Sequence, residues 1–140
     1  MSGRIELRPD GPHSDDYTAE VARALAESVR VLNYATGSHA ERGLQHPQTV
    51  YDVVGNLAAS AAGLGQLLGQ LAEFLTHQAA AGHLADTSGA DPIVVTADAR
   101  EQLAAAHTAG SALSRALGLA QSAVSGLYVL DGDAESGDWS

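Results

Sequence analysis

The sequence predicts an all-α fold, an antiparallel helical bundle with one shorter and two long helices. Three observations carry that prediction. The apolar residues are mostly Ala, Leu and Val, and aromatics are only 4% of the chain, a composition that suits helices. Two long segments repeat apolar residues with heptad spacing. A third segment alternates charges at spacings of four and three. The predicted helices cover about 15–36, 47–81 and 97–128. They form a helical-bundle domain over 14–130, between an arm at 1–13 and an acidic tail at 131–140.

The arm is polar. Arg4-Ile5-Glu6-Leu7-Arg8 alternates polar and apolar residues before Pro9, Gly11 and Pro12 break the pattern. It reads as a loose terminus, with a short strand that pairs with another copy or partner as the sharper alternative. In the first helix Ser14 is the expected cap, and Asp15 and Asp16 suit the positive end of the helix dipole. Asp16, Glu20, Arg23, Glu27 and Arg30 make one solvated face, opposite Val21, Leu25, Ser28, Leu32 and Ala35. Gly37 is expected to end the helix as a left-handed cap, and Ser38–His46 to be a polar loop.

The second helix starts at Pro47, a favoured first-turn residue, and stops at Gly82. Val50, Val54, Leu57, Ala61, Leu64, Leu68, Leu71 and Leu75 form an unbroken heptad seam. His83–Val95 reads as a connector, with Ile93-Val94-Val95 as a short strand or a plug over the bundle end. Thr96 is the expected cap of the third helix, followed by Asp98. Ala99, Leu103, Ala106, Gly110, Leu113, Leu117, Ala120, Val124 and Leu127 give its seam. The tail, DGDAESGDWS, reads as disordered, and its Trp139 as a single exposed residue without a role, with a docking residue as the alternative.

The stretch AAGLGQLLGQLAEF puts Gly63, Gly65 and Gly69 inside the second helix. A phosphate loop is excluded because no strand precedes it and no GKS or GKT follows. A membrane helix contact is excluded by Gln66, Gln70, Glu73 and His77. Packing of soluble helices remains. Gly55, Ala58, Ala62, Gly65, Gly69 and Ala72 make a stripe of small residues, and Ala105, Ala109, Ala112 and Ala116 begin a similar one on the third helix. Such stripes let helix axes approach more closely than the usual 8–10 Å. Each interior Gly costs roughly 0.5–1 kcal/mol against Ala, which the contact must offset. A kink near Gly63–Gly65 is also expected. Asn56, Gln66 and Gln70 flank the seams and are candidates for fixing how the helices align.

The second helix carries only Asp52 and Glu73 as charges, and Ala116–Leu130 carries none. A helix that is apolar or small on most faces is usually central, and three helices of unequal length cannot cover it. Association of copies is therefore expected, with an antiparallel dimer favoured. The expected interface residues are Leu57, Ala61, Leu64, Gly65, Leu68, Gly69, Leu71, Leu113, Leu117 and Val124. The arm and the tail are the places left for a separate protein partner.

Other classes fit the residues less well. Net charge is −10 and the seven basic residues, all Arg, are scattered, so nucleic acid is not expected as a partner. The lack of Lys with abundant Ala and Gly points to a GC-rich bacterial genome. There is no Cys, which excludes disulfides and thiol chemistry. The start lacks an apolar signal region, and no run of about 18 apolar residues occurs, so a cytoplasmic protein without a membrane span is expected. His13, His39, His46, His77, His83 and His107 include no pair with metal-site spacing on one helix face. His77 and Glu73, four apart, read as a solvated surface contact. No carboxylate or Ser has a base at recognisable spacing. No catalytic residue, cofactor or metal is therefore expected.

The long helical hairpin resembles the WXG type of small secreted bacterial proteins. Those carry a Trp-x-Gly turn between their helices, where this chain has His83–Val95, and its only Trp is at 139. The resemblance therefore brings no function with it. The leading expectation is a non-catalytic, self-associating scaffold or protein–protein adaptor. The alternative is a bundle that binds an apolar ligand or regulator in a groove between small-residue stripes. A small secreted hairpin protein or a helix-based enzyme comes third.

Overall fold

The computed structural model describes residues 5–37 and 43–130. The expected tail and most of the loop Ser38–His46 lie outside the described residues. The described chain is all-helical: α1 is Asp15–Thr36, α2 is Pro47–Ala80 and α3 is Pro92–Val124. The chain divides into two compact units, Met1–Gln45 and His46–Ser140.

In the first unit, Ser14 caps α1 as expected, its hydroxyl accepting from the Tyr17 amide at 3.1 Å. The charged face holds one ion pair, Arg30 with Glu27 at 2.6 Å, the only one among the described residues. No residue of α1 is buried, and Leu25 on its apolar face is half exposed. Gly37 corrects an expectation: its φ is −72°, an extended conformation and not a left-handed cap. The helix end is closed instead by the Gly37 amide bonding the Tyr34 carbonyl.

The described part of the arm folds back on the first turn of α1. The Tyr17 hydroxyl accepts from the Arg8 amide and donates to the Glu6 carbonyl, both at 2.8 Å. His13 stacks on the Tyr17 ring and donates from Nε2 to the Arg8 carbonyl. The Arg8 guanidinium lies 4.8 Å from the same ring, a cation–π distance. Residues 5–13 form no strand. Residues i and i+2 of an extended chain point their amide and carbonyl to one edge. Tyr17 occupies that edge at Glu6 and Arg8, where a pairing strand would bond.

In the second unit α2 and α3 pack as an antiparallel hairpin. Three bonds fix the direction. Gln48 Nε2 donates to the Leu127 carbonyl, Gln121 Nε2 to that of Tyr51 and the Ser114 hydroxyl to that of Ala58. Pro47 starts α2 as expected. Its end is a glycine stop: Gly82 has φ +74°, His83 N–H bonds Gln78 and Gly82 N–H bonds Ala79. The helix runs unbroken through Gly63 and Gly65.

The start of α3 differs from expectation. Ile93-Val94-Val95 is neither strand nor plug but the first turn of the helix, and Thr96 is not its cap. Asp91 caps it, Oδ1 accepting from the Ile93 amide at 3.0 Å, and Pro92 takes the first helical position. A cap followed by Pro is favoured enough to override the strand preference of three β-branched residues. Thr96 is buried and donates its hydroxyl back to Pro92. The helix ends at Val124, four residues before the expected 128. In the connector, the Ser88 amide and hydroxyl bond the Asp86 carboxylate and hold its pKa below the usual range.

Candidate association face and polar groove

The core of the hairpin is thin. Its buried residues are Ala61, Ala72, Ala79 and Thr96, and no large side chain is fully buried among the described residues. Small residues line the contact because polar side chains of α3 occupy the space beside them. Arg100, His107, Ser114 and Gln121 stand seven apart, one file on one face of α3. The His107 ring lies over Gly65, where a Cβ would come within 2.5 Å of Nε2. The Gln121 amide lies over Gly55, and Ser114 bonds the backbone at Ala58. These two glycines make room for side chains, whereas Gly110 meets the backbone of α2, a Cβ there lying 3.6 Å from the Ala61 carbonyl oxygen, so α2 and α3 also approach closely as expected. Gly63 and Gly69 have open space where a Cβ would stand.

The polar residues expected to align the helices lie elsewhere. Asn56, Gln66 and Gln70 are exposed, and Asn56 bonds the Asp52 carbonyl within its own helix. Ser114, Gln121 and Gln48 make the bonds between helices instead. Their signal in the sequence was the seven-residue repeat of polar positions beside the apolar seam.

The heptad seam is only half covered. Of the ten expected interface residues, Ala61 is buried and Leu64, Gly65, Leu68, Leu117 and Val124 are half-buried. Leu57, Gly69, Leu71 and Leu113 are exposed. At about 100° per residue, Leu57, Leu64 and Leu71 fall on one flank of the Ala61–Ala72 line, with Leu67 and Phe74 beyond them. Leu71 is 46% exposed and Phe74 60%. From Val53 to Phe74 this flank of α2 has no charge. On α3 the same flank shows Ala106, Leu113, which is 51% exposed, and Ala120. The result is an uncharged strip along one side of both helices.

The opposite side is polar. A groove of about 330 Å³ opens there, with Leu68, Ala72 and Leu103 beneath Glu73, His77 and Arg100. His107 also lines a second, shallow depression of about 370 Å³ on α3 alone, which reaches Arg115. No group of three or more metal-ligating side chains occurs among the described residues, and no described helix is long and apolar enough to cross a membrane. In comparisons with known proteins, no family model, curated sequence or solved structure matches the chain.

Proposed function

We propose that the chain is a non-catalytic scaffold or adaptor that works by associating with copies of itself through the uncharged flank of α2 and α3. The uncovered half of the heptad seam carries this reading. A heptad stripe is satisfied only when helices cover both of its edges. Here α3 covers the Ala61 edge and leaves the Leu57–Leu71 edge uncovered within the hairpin. Fully burying a Leu or Phe side chain stabilises by roughly 1.5–3 kcal/mol. Covering the exposed parts of Leu71, Phe74 and Leu113 is therefore worth several times a surface ion pair. The same strip exists on every copy, so two strips can meet about a twofold axis to make a dimer with a four-helix core.

Light scattering after size exclusion tests the reading. The full chain is expected to run as a dimer whose mass falls on dilution. Leu71→Asp, which places a carboxylate in the strip, is expected to give a 14.3 kDa monomer with unchanged helical circular dichroism. A wild-type monomer at every concentration would sink the proposal.

A further inference from the structure

We infer that two copies join hairpin to hairpin, α2 of each against α3 of the other, about a twofold axis that runs along the helices. This rests on the reading that copies associate through the uncharged strip, and it states which helix of a second copy meets which. Leu57, Ser60, Leu64, Leu67, Leu71 and Phe74 form the row that α2 turns to the strip, at spacings of three and four. At 100° per residue this row is centred about 90° from Ala61, which faces α3. A helix in a square four-helix bundle meets its two neighbours about a quarter-turn apart. The row on the same side of α3 is Ala99, Gln102, Ala106, Ala109, Leu113 and Ala116. Neither row has a charge, Leu64 and Ala99 are half-buried, and the other residues are exposed.

The two rows fit each other in size. Laid antiparallel on the α3 row of a second copy, Leu57, Leu64, Leu67 and Phe74 each meet an alanine, in turn Ala116, Ala109, Ala106 and Ala99. The one small residue of the α2 row, Ser60, meets the one leucine of the α3 row, Leu113, and Leu71 meets Gln102. Large opposite small across a contact lets the layers interdigitate. The register is not free. Within one chain Ser114 bonds Ala58 and His107 lies over Gly65, which sets the residues of α2 and α3 that stand level. An axis parallel to the helices leaves every height unchanged, so the α3 of a second copy must meet α2 in that same register. Every pair of the two rows falls within one residue of it, about 1.5 Å along the axis. A twofold axis across the helices would instead set α2 on α2 and α3 on α3. Leu64 would then meet Leu67, and Ala106 would meet Ala109, which makes one side of the bundle wide and the other narrow.

The chain has no Cys, so introduced thiols are the only ones, and a disulfide needs Cβ atoms about 3.5–4.5 Å apart. Leu67→Cys and Ala106→Cys, both at exposed positions, are made as separate full-length proteins, mixed under reductant to exchange subunits, and then oxidised. The mixture is expected to give a covalent dimer that reductant reverses. Either variant alone, or Leu64→Cys mixed with Leu67→Cys, is expected to give none. Wild type that scatters as a dimer while the Leu67→Cys and Ala106→Cys mixture stays unlinked would overturn this arrangement and leave association standing. So would cross-linking in the Leu64→Cys and Leu67→Cys mixture. A wild-type monomer at every concentration overturns both. A second check uses no thiols: Ser60→Leu is expected to dissociate the dimer at concentrations where wild type holds, and adding Leu113→Ala to restore it. Dissociation that Leu113→Ala does not repair counts against the pairing.

Discussion

Gly65 and Gly63 sit two residues apart in one helix and have opposite surroundings. Gly65 faces α3 and carries the His107 ring, whereas Gly63 faces away from it with nothing where a side chain would begin. Both pay the same conformational cost for helical glycine, roughly 0.5–1 kcal/mol against Ala. Only Gly65 recovers it inside the hairpin, by admitting a side chain of α3. The difference teaches that a glycine-rich helical stretch mixes positions of unlike purpose. A run of small residues therefore does not mark a helix contact at every one of its positions.

The largest test of that contrast is Gly65→Leu beside Gly63→Leu. Overpacking a filled contact costs typically about 1–3 kcal/mol. Gly65→Leu is therefore expected to lower the unfolding free energy from urea titration by that amount, and Gly63→Leu to leave it unchanged or raised. Equal losses at the two positions would break the comparison. Ser114→Ala comes next. It leaves the Ala58 carbonyl its helical bond but removes the Ser114 bond between helices, for an expected loss of about 0.5–1.5 kcal/mol in denaturant unfolding. No loss would mean the polar file merely fills space. The smallest effect has the opposite sign. Gly63→Ala and Gly69→Ala are each expected to raise stability by about 0.5–1 kcal/mol, because the added methyl meets open space and the unfolded chain loses freedom. If either instead shifts the light-scattering mass toward monomer, a second copy lies over that glycine.

Much of the fold was legible because its punctuation is local. Ser14, Pro47 and Gly82 act through bonds to residues a few positions away, so sequence proximity was enough to place those ends. The start of α3 was misread because Asp91-Pro92 and Thr96 are both good signals. The choice fell to the Asp91 carboxylate reaching the Ile93 amide. The association strip was only half legible. A heptad states that a helix needs neighbours but not which edge each neighbour covers, and so Leu57 and Leu71 read the same as Ala61 and Leu68. The polar groove was missed because the arginines were read as scattered charges and His107 as a candidate metal or base residue, and not as members of one file with Ser114 and Gln121.

That file also has a consequence for mispairing. Leucines and alanines repeating every seven residues would accept α3 slipped by one heptad along α2. The side chains of the file do not share one size. The small Ser114 meets Ala58, while the larger His107 and Gln121 meet Gly65 and Gly55. A slip of seven residues brings the imidazole opposite Ala58 or Ala72, where a methyl already stands. The order of glycine and alanine in α2 thus works like the cuts of a key, admitting one sliding position of the hairpin and rejecting those on either side of it.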